Sequence, residues 1–208
     1  MMRAMRARLL LLFGALGALA LAYRRVLRDR HLTWGATPEE AGASLPGDEL
    51  LPDADIVATR AVRIDAPSSE VWPWLVQMGP GRGGAYTYDW IENLLGLDIH
   101  SADEVLPDFQ DLEVGDEPGL GMRVELLEPE RVLASRSGDG RWVWSFVLVP
   151  AEGGTRLVSR NRISMRGGGL GARLGMIVME PGSWVMERKM LLGIKERAER
   201  MHAQTAVR

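Results

Sequence analysis

The stretch from Glu180 to Met201, EPGSWVMERKMLLGIKERAERM, constrains the fold of this chain more than any other. At about 100° per residue, Met186, Met190, Leu191, Ile194, Ala198 and Met201 fall on one side, with Trp184 at the edge. Arg188, Lys189, Lys195, Glu196, Glu199 and Arg200 fall on the other. This reads as a long amphipathic helix whose apolar face requires a cover. Pro181 suits its first turn, where a missing N–H costs nothing. Three methionines make the face adaptable in shape. Gly193 in mid-helix points to a close backbone approach or to room left for something else. Glu187 breaks the pattern, lying inside the apolar arc between Met190 and Leu191 in angle.

The cover comes from upstream. Ile56 to Ile64 alternates and is β-branched, a strand. Pro67 and Glu70 then open a helix over Ser68–Met78 that carries Val71, Trp72, Trp74, Leu75 and Met78, with Pro73 expected to kink it. The glycines at 79, 81, 83 and 84 follow a helix and not a strand, so they read as a helix stop and turn in preference to a phosphate cradle. Tyr86, Tyr88 and Trp90 come next, then a short helix through Leu95 closed by Gly96. From Val105 to Ser164 the chain is strand and turn, with Ser137-Gly138-Asp139-Gly140 as a hairpin signal. In Arg141–Val149 the set Trp142, Trp144, Phe146 and Leu148 shares one face. In the next strand Leu157, Ser159, Asn161 and Ile163 share a face. Arg156, Arg160 and Arg162 point the other way, which the pattern assigns to solvent. The aromatic side should meet the amphipathic helix.

A strand, two helices, a run of antiparallel strands and a terminal helix make an α+β arrangement. A curved antiparallel sheet wrapped around a long C-terminal helix leaves a cavity lined by the tryptophan face and the methionine face. With 208 residues the chain forms one domain plus a tail, and the absence of cysteine excludes disulfides, thiol nucleophiles and thiolate metal sites.

The tail is distinct. Leu9–Tyr23, LLLLFGALGALALAY, is an apolar run of 15 residues bracketed by arginines. As a helix it spans ~22 Å against a hydrocarbon core of ~30 Å, and the flanking arginines and Tyr23 can snorkel. An uncleaved, single-pass membrane anchor is the preferred reading, with the side of the globular part open. A cleaved signal peptide is the rival, since Ala18-Leu19-Ala20 resembles a cleavage site. Residues 1–30 carry seven arginines against Asp29, a charge of +6, which leaves −9 on residues 31–208. An acidic body with a basic head suits a membrane surface and not a nucleic acid. Residues 31–55, rich in Pro and Gly, read as an extended connector whose carboxylates at 48, 49, 53 and 55 form a solvated face. The domains are therefore an anchor over 1–30, the connector, and a globular domain over 56–208.

The segments Ile64–Met78, Trp142–Arg160 and the terminal helix resemble the START-like (SRPBCC) superfamily of helix-grip proteins, which includes polyketide cyclases and dehydrases, lipid-transfer domains and pollen allergens. Trp34–Thr37, Leu45–Asp55 and Gly81–Asp103 are similar to a bacterial subgroup with an N-terminal membrane segment. The resemblance implies a helix-grip fold and a hydrophobic cavity, not one chemistry.

Of the three histidines, His31 and His202 lie near the ends of the domain, so a three-histidine metal site is not expected. His100 lies beside Asp98, Ser101 and Asp103, either fixing a loop or working as an acid–base group at a cavity mouth. Glu187 on its apolar face is an acid–base group with a raised pKa, half of an ion pair with an arginine, or a charge at the exposed lip of the cavity. Either the aromatic rings of Tyr86, Tyr88 and Trp90 staple this loop to the sheet, or these residues and Asn93 orient a polar end of a ligand at the cavity entrance. Trp74, Trp142, Trp144, Phe146, Met186, Met190 and Ile194 are candidates for its wall. Three functions remain open, in this order. The first is a membrane-held domain that binds a small hydrophobic or lipid-like ligand without a cofactor. The second is a cyclase or dehydrase that uses Glu187 and His100. The third is a structural or interaction domain whose cavity is filled by its own side chains.

Overall fold

In the computed structural model, residues 14, 17, 22, 26–94 and 96–206 are described. The run Leu9–Tyr23 falls almost wholly outside them. Among the described residues no helix is long and apolar enough to cross a membrane.

Ahead of the sheet lie two short helices, α1 (Arg28–Leu32) and α2 (Pro38–Gly42). Strand β1 (Ile56–Ile64) and helices α3 (Ser68–Val76) and α4 (Asp89–Leu94) follow. Four strands then run in hairpin succession: β2 (Met122–Glu128), β3 (Val132–Ser137), β4 (Trp142–Ala151) and β5 (Gly154–Ile163). Helix α5 (Leu170–Ala206) ends the chain. All strand pairs are antiparallel, in the order β1-β5-β4-β3-β2. Short turns join β2 to β5, whereas β1 sits next to β5, so the first strand closes the sheet beside the last. The result is an α+β fold with one antiparallel sheet and a long C-terminal helix against it.

Register assigns the faces. Arg60 lies opposite Ser159, Ala58 opposite Asn161, and Trp144 opposite Asn161 on the other side. Strand alternation therefore puts Ile56, Ala58, Arg60, Asn161, Ile163, Trp142, Trp144 and Phe146 on the face that meets α5. Trp74, Leu75, Val124, Leu133, Phe146 and Leu157 pack with Met190, Leu191, Ile194 and Ala198 of α5 in the main core. Gly193 meets the chain where it must: a Cβ there would stand 2.6 Å from the Tyr86 carbonyl oxygen, so the close backbone approach is the reason for the glycine.

The structure corrects three expectations. Helix α5 starts at Leu170, which puts Pro181 inside it and not in a first turn. An interior proline removes one helical hydrogen bond. The surrounding turns are held from outside by the bidentate pair of Arg28 with Glu180 and by His31 stacked on Trp184 at 4.3 Å. Next, residues 31–55 are not an extended connector. They contain α2, capped by a Thr37–Glu40 capping box, and a 3-10 turn over Asp48–Leu50. They form a strap across the outer face of the sheet, where Ala36 and Leu45 pack on Ala61, Val132, Val147 and Val158.

The third correction follows from the second. The arginine face of β5 is not solvated: Arg160 is 2% exposed. It donates to Asp48, to the carbonyls of Glu40, Ala41 and Ala43, and to Thr59. Arg156 is paired with Glu40, and Arg162 with Asp48. Strand periodicity says which side a residue faces, and nothing about what lies over that side. A strand second from the edge carrying three arginines requires counter-charges, and the strap carries them.

Candidate functional site

A cavity of about 390 Å³ lies between the sheet and α5. Trp142, Trp144, Phe146 and Leu133 wall it from the sheet, and Met176, Met179, Met186 and Met190 from the helix. Leu75 of α3, Met122 of β2, and Ile99 and Leu112 from the segment between them also line it, as does Leu32 of α1. Its size is that of an ordinary small-molecule site. The indoles are ordered by one another and by the next strand. Trp142 and Trp144 stack at 5.6 Å, their N–H groups donating to Asn161 Oδ1 at 2.7 Å and Ser159 Oγ at 2.9 Å. The apolar ring faces are thereby turned to the cavity with no N–H left unmade.

One wall is charged. Glu187 is 6% exposed and receives three donors. Arg60 Nη1 and Asn161 Nδ2 reach Oε2, and Ser159 Oγ donates to Oε1 at 2.7 Å. Arg60 is equally buried and also donates from Nε to the His31 carbonyl at 2.9 Å. Burial raises the Glu187 carboxyl above the ordinary range, while Arg60, Ser159 and Asn161 pull it back. With a guanidinium and two neutral donors on it, this carboxylate is an ion-pair partner. The structure contains the ion pair, and the burial of Glu187 does not fit an exposed lip.

The candidate ligand residues separate into two groups. Trp142, Trp144, Phe146, Met186, Glu187 and Met190 line the cavity. Trp74, Tyr86, Tyr88, Trp90, Asn93, Ile194 and His100 are not among the lining residues. Trp74 and Ile194 are core. Tyr86, with φ of 57°, is buried; its hydroxyl donates to the Trp74 carbonyl at 3.0 Å and Arg197 lies over its ring. Burial drives its phenol well above the ordinary range, so it stays neutral. Tyr86 is therefore a staple between α3 and α5, not an entrance residue. Trp90 is 69% exposed. Asn93 uses its amide to hold the backbone of Ile99. His100 is exposed and lies 3.2 Å from Asp98. The structure thus does not bring His100 and Glu187 together at the cavity.

Sequence reasoning missed Arg60, Asn161, Thr87, Glu92 and Ser183, all of which line it. One signal pointed to the first two: Arg60 stands on the buried side of an alternating strand, and Asn161 shares a face with Leu157 and Ile163. Among the described residues no group of three or more His, Asp or Glu side chains is placed to hold a metal ion.

No protein-family model matches the chain, and no curated protein is similar to it. Several solved structures are similar. A polyketide-cyclase-like protein of Corynebacterium glutamicum is 17% identical, covers 70% of this chain and 91% of its own, and superposes with a TM-score of 0.44. An AHSA1-like protein of Aeromonas hydrophila is 15% identical over 70% of this chain and 94% of its own, with a TM-score of 0.41.

Proposed function

We propose that this protein binds a small, largely apolar molecule in the cavity between its sheet and α5, and that Leu9–Tyr23 holds it at a membrane. The observation that supports binding is the cavity itself. A domain filled by its own side chains would bring the methionines of α5 onto Trp142 and Trp144, yet about 390 Å³ separates the two walls. Polar side chains on the sheet and helix walls are paired with each other, so an apolar guest meets no bare charge there. Chemistry by Glu187 is disfavoured for the same reason, because each of its oxygens already has a donor. Membrane attachment rests on the apolar run and its arginine flanks, and on Val26 and Leu27, which expose apolar side chains just before α1.

The test is native mass spectrometry of the full chain purified mildly in detergent, with extraction and identification of what co-purifies. A stoichiometric apolar adduct is the expected result. A protein that carries none, and that takes up no hydrophobic probe such as pyrene, overturns the binding reading. Release of the chain from membranes by alkaline carbonate would overturn the anchor.

A further inference from the structure

The polar groups of the cavity fall into two sets with opposite bookkeeping. Around Arg60 and Glu187 the circle is closed. Glu187 accepts from Arg60, Ser159 and Asn161, and Arg60 donates to the His31 carbonyl and more distantly to Ser183. Asn161 and Ser159 in turn accept from the two cavity tryptophans. A ligand head arriving there would compete with partners that these side chains already hold.

The loop side is open. Thr87 and Glu92 both line the cavity with their side chains close to one another, and Thr87 Oγ1 and Glu92 Oε2 are buried with no hydrogen-bond partner outside that pair. Buried polar atoms without partners are rare, and each calls for an explanation, a ligand among them. The surroundings are acidic. Asp89 lies one turn before Glu92, and its own oxygens are taken up by Ser101 at 2.8 and 2.6 Å. Burial raises the Glu92 carboxyl, Thr87 tempers the rise, and Asp89 adds to it.

Resting on the binding reading above, we infer that Thr87 and Glu92 form a polar subsite that receives the hydrogen-bond-donating head, a hydroxyl or an ammonium, of an otherwise apolar ligand. Glu92 accepts from that head, and the Thr87 hydroxyl adds a second contact. A carboxylate head is excluded from both ends of the cavity. It would meet Glu92 and Asp89 as like charges on the loop side, and at the sheet it would find Arg60 already neutralised by Glu187.

The experiment uses the full chain in phosphatidylcholine nanodiscs, with empty nanodiscs subtracted. Displacement of pyrene from the cavity, read by energy transfer from tryptophan, ranks dodecylamine, dodecanol and dodecanoate. Dodecylamine or dodecanol is expected to compete at least about ten-fold better than dodecanoate. Whichever of the two leads tells an ammonium from a hydroxyl. Glu92→Gln together with Thr87→Val is expected to bring the three probes within about two-fold of one another, while Thr87→Ser keeps the preference. Dodecanoate competing as well as the others in the wild-type chain, or a ranking unchanged in the double variant, overturns the subsite and leaves the cavity reading standing. If pyrene is not taken up at all, the cavity reading itself falls. The wild-type ranking decides the matter even if a variant fails to fold.

Discussion

Glu187 carries on one side chain the conflict between burial and charge that runs through this protein. Taking a carboxylate and a guanidinium out of water costs several kcal/mol each, and the pair is sustained by its Coulomb attraction and by the donors from Ser159 and Asn161. Removing one partner alone therefore costs more than removing both. Glu187→Ala leaves Arg60 buried and uncompensated, and is expected to lower unfolding free energy by about 3–5 kcal/mol. Replacing both, Arg60→Met with Glu187→Leu, is expected to recover most of that loss, because apolar groups of similar volume need no partners. Urea unfolding of the three chains reads the difference. A double variant as unstable as Glu187→Ala would mean that the pair is net stabilising against an apolar core. Tyr86 makes a related point without charge: a phenol in a glycine-rich loop resembles a ligand contact in sequence, but its hydroxyl is consumed by the Trp74 carbonyl.

At the scale of elements, the strap is the piece with a pH response. Glu40 is held below its ordinary 4.5 chiefly by its hydrogen bonds from Arg156, with the Thr37 backbone N–H adding to them against burial. A carboxyl depressed in the folded state contributes stability above its unfolded pKa and loses it as pH falls through the folded value. Wild-type protein is therefore expected to melt higher than Glu40→Gln at neutral pH, with the gap closing as the pH falls below 4.5. Melting curves of the two chains across that window measure it; a gap independent of pH would mean that Glu40 acts through packing alone. The strap also marks where the sequence ceased to be legible. Strand alternation gave β1, β4 and β5 and the face that meets α5, because one side of each is buried against a helix whose own period is visible. It did not give the cover on the other face. Nothing local in Arg156, Arg160 or Arg162 distinguishes a solvated arginine from one bound to a segment more than a hundred residues earlier. The cavity walls on β4 and α5 were readable for the same reason as the strands. Thr87 and Glu92 were not, because Thr87 lies in the turn before α4 and Glu92 in a helix of six residues, too short to show a period.

For the whole molecule, the decisive junction is the one between the apolar N-terminal run and the domain. By composition the boundary falls at residue 30, but α1 straddles it and is built into the domain. Arg28 grips Glu180, His31 stacks on Trp184 and gives its carbonyl to Arg60, and Leu32 lines the cavity. These contacts tie α1 to the domain. A displacement of the chain just before α1 would therefore be passed to α1, to the turns of α5 around Pro181, and to one wall of the cavity. Shortening the chain separates anchoring from this coupling. A chain beginning at Val26 keeps the contacts of Arg28 with Glu180, of His31 with Trp184 and Arg60, and of Leu32 with the cavity, and is expected to bind pyrene as the full chain does. A chain beginning at Trp34 loses them, leaving Arg60 Nε unpaired in a buried site at a cost of roughly 1–3 kcal/mol and opening the cavity where Leu32 stood. It is expected to melt lower and bind pyrene more weakly. Equal binding by the two chains would mean that α1 is a linker that happens to lie against the domain; a loss in both would mean that the apolar run itself helps to shape the cavity.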